Sequence, residues 1–357
     1  MQDQLSSNES PLPSITGHSG FQQDLVAAMG QGRMHHAWLL TGPRGIGKAQ
    51  LALRAAAWLL AENNDDPHHS AKTPTGFGID PADPGVTLVL NGAHPDLKIV
   101  APLEKDNKSG QIKIDQIRAL LPFMMHKPGR GGWRVAIIDS MDEVNRNGSN
   151  ALLKLLEEPP EKTVLFLIAS CPGQLPPTIR SRCRIARMSA LDQDNSAAVI
   201  ASIWPDADAS QRQLLTILGE GAPGRAIILA ETGAADCYQT ACALLTEDRL
   251  DRAALATICG KWGKGGAAGK NSRQGAIMLL ERLLRLCALA ASGVSLPPCC
   301  QFEERVIAVL CQRHAAGRLA EMQSEFSQKA ALADALYLDF AQFLTRQLTA
   351  FHRKSLP

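Results

Sequence analysis

Between Ala37 and Leu60 the chain passes from an apolar run through a glycine-rich loop into strong helix formers, and no other stretch restricts the fold so tightly. Ala37-Trp38-Leu39-Leu40 is short, bounded by His36 and Thr41, and predicts a buried strand. Gly42-Pro43-Arg44-Gly45-Ile46-Gly47-Lys48 follows it. From Gly47 to about Ala61 the residues favour a helix with Leu51, Ala55, Trp58 and Leu59 on one face. Strand, loop and helix in this order are what a phosphate-binding loop requires. Gly42, Gly45 and Gly47 let the backbone curl so that amide hydrogens point inward, the helix N-terminus adds positive potential, and Lys48 supplies a point charge. The pattern departs at Ala49, where a Ser or Thr oxygen normally ligates magnesium.

A second strand is predicted at Arg134-Val135-Ala136-Ile137-Ile138-Asp139, with Asp139 at its C-terminal end, where ligands gather in open parallel sheets. Asp139 is therefore a candidate to hold magnesium through water. The residue after it is Ser140, not the carboxylate that would orient or deprotonate an attacking water. Asp142 and Glu143 are expected to point along the next loop and not to replace it. A helix capped by Asn147 or Ser149, with Leu152, Leu155 and Leu156 as its buried stripe, is stopped by Pro159-Pro160. Val164 to Ser170 reads as another core strand, and Ile179-Arg180-Ser181-Arg182-Cys183-Arg184 sets three arginines beside a strand start. Strand and helix alternate throughout this half, which defines the fold class as α/β.

Composition limits the alternatives. A chain of 357 residues predicts two or three domains. With 37 basic and 35 acidic residues, its charge does not mark it as a protein that coats DNA. All nine cysteines lie at or beyond Cys171, and no two stand at Cys-x-x-Cys spacing, so neither a disulfide framework nor a structural zinc site is supported. The first thirty residues are polar, and no uninterrupted run of eighteen apolar residues occurs, so a cytoplasmic location is expected.

Several short motifs occur in a telling order. They are His36-Ala37-Trp38-Leu39-Leu40, the glycine loop, His94-Pro95-Asp96, Ile114-Asp115-Gln116-Ile117-Arg118, Asn150-Ala151-Leu152-Leu153-Lys154, Leu156-Glu157-Glu158-Pro159-Pro160 and Ile179-Arg180-Ser181-Arg182-Cys183. Together, over roughly residues 15 to 190, they resemble the AAA+ subunits of the sliding-clamp loaders of bacterial DNA polymerase III. The resemblance implies an AAA+ P-loop parallel-sheet domain over residues 1–190, a small helical lid over 191–235 and a helical collar for oligomerisation over 236–357. It also implies a five-subunit ring in which ATP sits between neighbours and the arginine of each Ser-Arg-Cys reaches the adjoining site. The partners implied are motor subunits of the gamma/tau type and a delta subunit, with the sliding clamp and primer-template DNA engaged through the complex.

Motor subunits of that family carry Lys-Thr or Lys-Ser in the loop and Asp-Glu at the strand end. Ala49 and Ser140 stand there instead, which resembles the family's rigid, non-hydrolysing member. On this reading Arg182 completes a neighbour's ATP site in trans, while Gly42, Gly45, Gly47, Lys48 and Asp139 form a degenerate site of weak ATP and magnesium binding, with no cofactor required. Many members carry a cysteine-ligated zinc module after the loop helix, but residues 61–95 contain no cysteine and no zinc is expected. Asp65, Asp66, His68 and His69 are read as part of a solvated loop. The motor subunits also place a phosphate-sensing arginine on a lid helix. Here Gly224 falls at that position and Arg225 one residue later, a rotation of about 100° that is expected to turn it away.

Beyond Ala190, helices are predicted at Ser196–Trp204, Ser210–Leu218 and Pro223–Glu231, then at Ile277–Ala291 and Ala330–Leu348. The basic glycine-rich stretch 260–270 reads as a connection between collar helices. Two rival functions remain at this point: an ATP-hydrolysing motor subunit or other AAA+ ATPase, and a partner-binding module with a vestigial loop.

Overall fold

The computed structural model describes residues 15–62, 77–102, 111–129, 132–264, 269–336 and 338–354. They fall into two compact units, up to Leu191 and from Asp192 onward.

The first unit is built on five strands, β1 (Ala37–Thr41), β2 (Leu97–Val100), β3 (Arg134–Asp139), β4 (Thr163–Ala169) and β5 (Arg184–Arg187). They form one parallel sheet in the order β2-β3-β4-β1-β5. Strands β1, β3 and β4 lie inside the sheet, so both faces of each are covered, and their near-continuous apolar sequences follow from that. The helices are α1 (Ser19–Gly30), α2 (Lys48–Leu60), α3 (Pro84–Leu90), α4 (Ile114–Arg118), α5 (Leu120–Met125), α6 (Arg146–Glu157) and α7 (Pro177–Arg180). Alternate strand residues divide the core. Leu39, Ala136, Ile138, Leu165 and Leu167 pack with Ile117 and Leu120 and with the α6 stripe Leu152, Leu155 and Leu156. Trp38 and Phe166 point the other way, their rings meeting Phe21 of α1 edge to face at 5.5 and 6.3 Å. The result is the three-layer α/β arrangement expected of an AAA+ P-loop domain.

Local details differ from expectation. The cap of α6 is Asn145, whose side chain accepts from the Gly148 amide at 2.8 Å, two residues before the expected Asn147. Helix α2 buries more than the one predicted face: Ala52, Ala56 and Ala57 are buried beside Leu51, Ala55, Trp58 and Leu59. It packs against β3 and β4 on one side and α3 on another, and small alanines permit that close approach.

The second unit is helical: α8 (Gln193–Ile203), α9 (Ala209–Gly219), α10 (Pro223–Thr232), α11 (Ala234–Thr246), α12 (Arg252–Trp262), α13 (Lys270–Ala291), α14 (Gln301–Arg313), α15 (Ala316–Ala335) and α16 (Phe340–His352). The helix expected over Ala330–Leu348 is two helices. The first, α15, ends at Ala335, and Asp339 caps the second by accepting from the Gln342 amide at 3.1 Å. One apolar cluster runs from Ile200, Leu215 and Leu229 to Trp262, Leu283, Phe326 and Phe351. The expected boundary at 235/236 falls in the first turn of α11, within that cluster. Of the stretch 260–270, residues 265–268 lie outside the described residues.

Candidate nucleotide site and arginine surface

The glycine loop leaves the C-terminal end of β1 and enters α2. Gly42 has φ 149°, and a Cβ there would sit 2.2 Å from the Met188 carbonyl oxygen just past β5, so only glycine lets the two backbones approach. Gly47, at φ 94°, is the N-cap of α2, and Gly45 lies within the loop turn. The entering segment touches the same loop, with His18 Nε2 donating to the Ile46 carbonyl at 2.9 Å.

Lys48 is buried, with 5% of its surface exposed. Its ammonium donates to the carbonyls of Gly42 and Pro43, both at 2.7 Å, and to Ser170 Oγ at 3.1 Å. Burial pushes its pKa down, against the attraction of Asp142 and Asp139. The side chain that would meet a phosphate is thus folded onto its own loop, and Ala49 beside it offers a methyl group.

Asp139 closes β3, and burial pushes its carboxyl up while Lys48 and Arg44 pull it down. Ser140 follows, its hydroxyl 3.4 Å from Asp142 Oδ2. Asp142 does not run on along the next loop as expected. A 3-10 turn over Met141–Glu143 returns its carboxylate to the end of β4, where it accepts from the Ser170 amide at 2.5 Å and the Cys171 amide at 3.1 Å. Glu143 lies 3.8 Å from Arg44 of the glycine loop. Ser170, which motif matching missed, and Asp142, which was expected to turn away, therefore both stand beside the glycine loop. The available signal was position: Ser170 directly follows β4, which lies between β1 and β3, so it must emerge beside the loop.

Arg182 lies on the turn between α7 and β5. Its guanidinium donates to the Thr178 carbonyl at 3.0 Å and pairs with Glu157 at 2.8 Å, with 36% of the side chain exposed. Glu157 is the last residue of α6, so the Leu-Glu-Glu-Pro-Pro and Ser-Arg-Cys motifs meet in space. The adjacent Cys183 packs against the core, and burial pushes its thiol up to about 12. Arg184 stacks over the Trp38 ring at 4.5 Å, away from the Arg182 pair.

Other motif residues take structural positions. Asp96 of His94-Pro95-Asp96 pairs with Arg134 at 2.6 Å, both buried, and accepts from the Gly129 amide at 3.0 Å. That pair stands where β2 and β3 begin, at the end of the sheet opposite the glycine loop. Arg225 pairs with Glu220 at 3.2 Å. Asp65, Asp66, His68 and His69 lie outside the described residues. Among the described residues no three His, Cys, Asp or Glu side chains are arranged to hold a metal ion, and no helix is long and apolar enough to cross a membrane.

A parallel sheet ordered β5-β1-β4-β3-β2, with the glycine loop between β1 and α2 and an acidic residue closing β3, defines a nucleotide-binding-type unit of the AAA+ class. The family described as "DNA polymerase III, delta subunit" matches residues 17–192. DNA polymerase III subunit delta' of Pseudomonas aeruginosa is 35% identical over 204 residues, covering 57% of this chain and 58% of that protein. DNA polymerase III subunit tau of Escherichia coli is 34% identical over 178 residues, covering 50% of this chain and 25% of that protein. The chain thus spans less than two thirds of the length of either curated relative. A solved gamma-subunit-related protein of Thermotoga maritima is similar with a TM-score of 0.45 at 15% identity, covering 94% of this chain and all of that one. Over residues 17–192 these matches support a clamp-loader subunit of DNA polymerase III of the delta-prime type.

Proposed function

We propose that the chain is a scaffold and trans-acting subunit of the clamp loader, helping to open and load the sliding clamp on primed DNA without hydrolysing ATP itself. The observation that carries this reading is the contrast between two cations. Lys48 is buried and donates to its own loop carbonyls beside Ala49, while Arg182 stands at the surface. The first site lacks both a hydroxyl for magnesium and a carboxylate at Ser140, so it binds ATP and magnesium weakly and needs neither, and no zinc is required. Arg182 supplies charge to the ATP site of a neighbouring gamma/tau-type motor subunit. Arginine suits that task because it stays protonated and presents a planar fork of donors. Its present partner Glu157 is half exposed, and such a pair is worth about 0–1 kcal/mol, so the guanidinium is released at little cost. Residues 191–235 act as lid and 236–357 as the collar that joins motor and delta subunits, in the cytoplasm, with the clamp and primer-template DNA engaged through the complex.

The test uses rings in which only the motor site next to this chain is competent. Arg182→Ala is expected to leave assembly intact and to lower turnover at that site by roughly a thousandfold, the scale of arginine fingers elsewhere. Equal turnover beside both forms rejects the trans role. Magnesium-dependent hydrolysis by the purified chain alone, above that of a Lys48→Ala control, would establish the rival motor reading instead.

A further inference from the structure

Helix α6 ends in a way that its own stability does not explain. The last turn of a helix carries a partial negative charge, so a cation there is favoured and an anion disfavoured. Lys154 meets that preference, but Glu157, the final residue, opposes it. Its carboxylate is turned onto Arg182, 2.8 Å away. Glu158, the next residue, is exposed and forms no ion pair among the described residues.

Arg182 precedes β5, at the end of the sheet opposite the glycine loop, so it does not reach the site that Lys48 and Asp139 border in the same chain. Its guanidinium is held on two sides, one arm donating to the Thr178 carbonyl at 3.0 Å and the other facing Glu157. Arg184, two residues on, turns instead to Asp24 at 3.6 Å and to the Trp38 ring. The carboxylate that closes α6 is thus matched to the one arginine assigned a role outside this chain.

We propose that, with Arg182 acting in trans as inferred above, Glu157 restrains it: the carboxylate covers the guanidinium until a neighbour's phosphates displace it, and so sets how closely that neighbour must approach before turnover begins. A carboxylate left beside the finger would face the phosphoryl oxygens and repel them, so the pair opens as the finger engages. A contact that holds the resting state and is absent from the transition state raises the barrier. A triphosphate outcompetes one carboxylate because it carries more charge and accepts from both arms of the fork. A residue that positioned the finger would act in the opposite sense, since it would keep its contact through the transition state.

The experiment measures ATP turnover in rings whose only competent motor site adjoins this chain. Glu157→Gln keeps the size of the side chain and removes its charge. It is expected to raise turnover at that site by about twofold to fivefold, the range an exposed pair supplies. The gain should shrink as salt rises, because salt already screens the pair in the parent. Glu158→Gln should leave turnover unchanged. Arg182→Ala/Glu157→Gln should match Arg182→Ala alone, since Glu157 acts only through the finger. The melting temperature of Glu157→Gln should not fall, because α6 loses an anion from its C-terminal end. The restraint is overturned if Glu157→Gln leaves turnover unchanged or lowers it while Arg182→Ala still lowers it, an outcome in which the trans role stands. It is also overturned if Glu158→Gln gives the same gain, or if the double variant keeps the gain. Arg182→Ala without effect rejects the trans role itself, and the restraint falls with it.

Discussion

At the scale of single residues, conformation and charge make separate demands on the glycine loop. Gly42 is dictated by space. Gly42→Ala brings a Cβ to 2.2 Å from the Met188 carbonyl at a φ that side chains rarely adopt, so we expect a loss of about 2 kcal/mol or more in urea unfolding of the first unit. Ala49 and Ser140 are matters of chemistry and leave the backbone undisturbed. Restoring both, as Ala49→Thr with Ser140→Glu, should raise nucleotide affinity in the presence of magnesium through the Thr hydroxyl, while the Glu adds the carboxylate that acts on the attacking water. Calorimetry with and without magnesium measures this, and equal affinity of the double variant and the parent would count against the degenerate-site reading.

Between elements, buried ion pairs fix what the apolar pattern leaves adjustable. The Asp96–Arg134 pair joins the starts of β2 and β3, and Arg134 also donates to the Lys127 carbonyl at 2.8 Å, so one guanidinium sets both the sheet edge and the preceding loop. Asp96→Ala strands that buried charge and should cost about 3–5 kcal/mol. Asp115→Ala, which breaks the exposed Arg118 pair, should cost about 0–1 kcal/mol. Parallel urea titrations compare the two, and similar losses would refute the distinction.

In the second unit Glu220, at a left-handed φ of 51°, gathers Arg225, Arg282 and Arg285, and Arg282 continues to Glu303 at 2.8 Å. Arg225 thus ties α10 to the end of α9. Burial alone would push the Glu303 carboxyl up, but Arg282, the Cys300 amide and Tyr238 together hold it below the ordinary glutamate range. A carboxyl depressed in the folded state contributes stability above its unfolded pKa of about 4.3 and loses it as pH falls through the folded value. The second unit should therefore weaken progressively in acid below about pH 4, and thermal melts of Glu303→Gln should show a shallower decline.

For the whole molecule, the two compact units predict two independently folding fragments. Residues 15–191 and 192–357 should each melt cooperatively when expressed alone. A fragment ending at residue 235 is expected to be worse behaved than one ending at 191, because Ile200, Leu215 and Leu229 lose the helices that cover them. Dye binding to exposed apolar surface, measured alongside circular dichroism, distinguishes the two fragments. Equal behaviour would mean that the helices of 192–235 form a core of their own.

The inner strands β1, β3 and β4, the glycine loop and helices α2 and α6 were readable from residue patterns because each depends on neighbours a few positions away. Apolar runs mark inner strands, glycines mark a tight curl, and proline or asparagine marks helix ends. The absence of a hydroxyl at Ala49 and of a carboxylate at Ser140 was equally plain, since identity alone decides it. Where local preference was ambiguous the reading slipped by a few residues, as at the Asn145 cap, or missed a break, as before Asp339. Tertiary structure decided the directions of charged side chains. Lys48 turns onto Ser170, Asp142 turns back to the end of β4, Arg182 meets Glu157, and Glu220 collects arginines more than sixty residues away. A long flexible side chain has many rotamers of similar energy, and only the return of distant backbone supplies the acceptor that selects one.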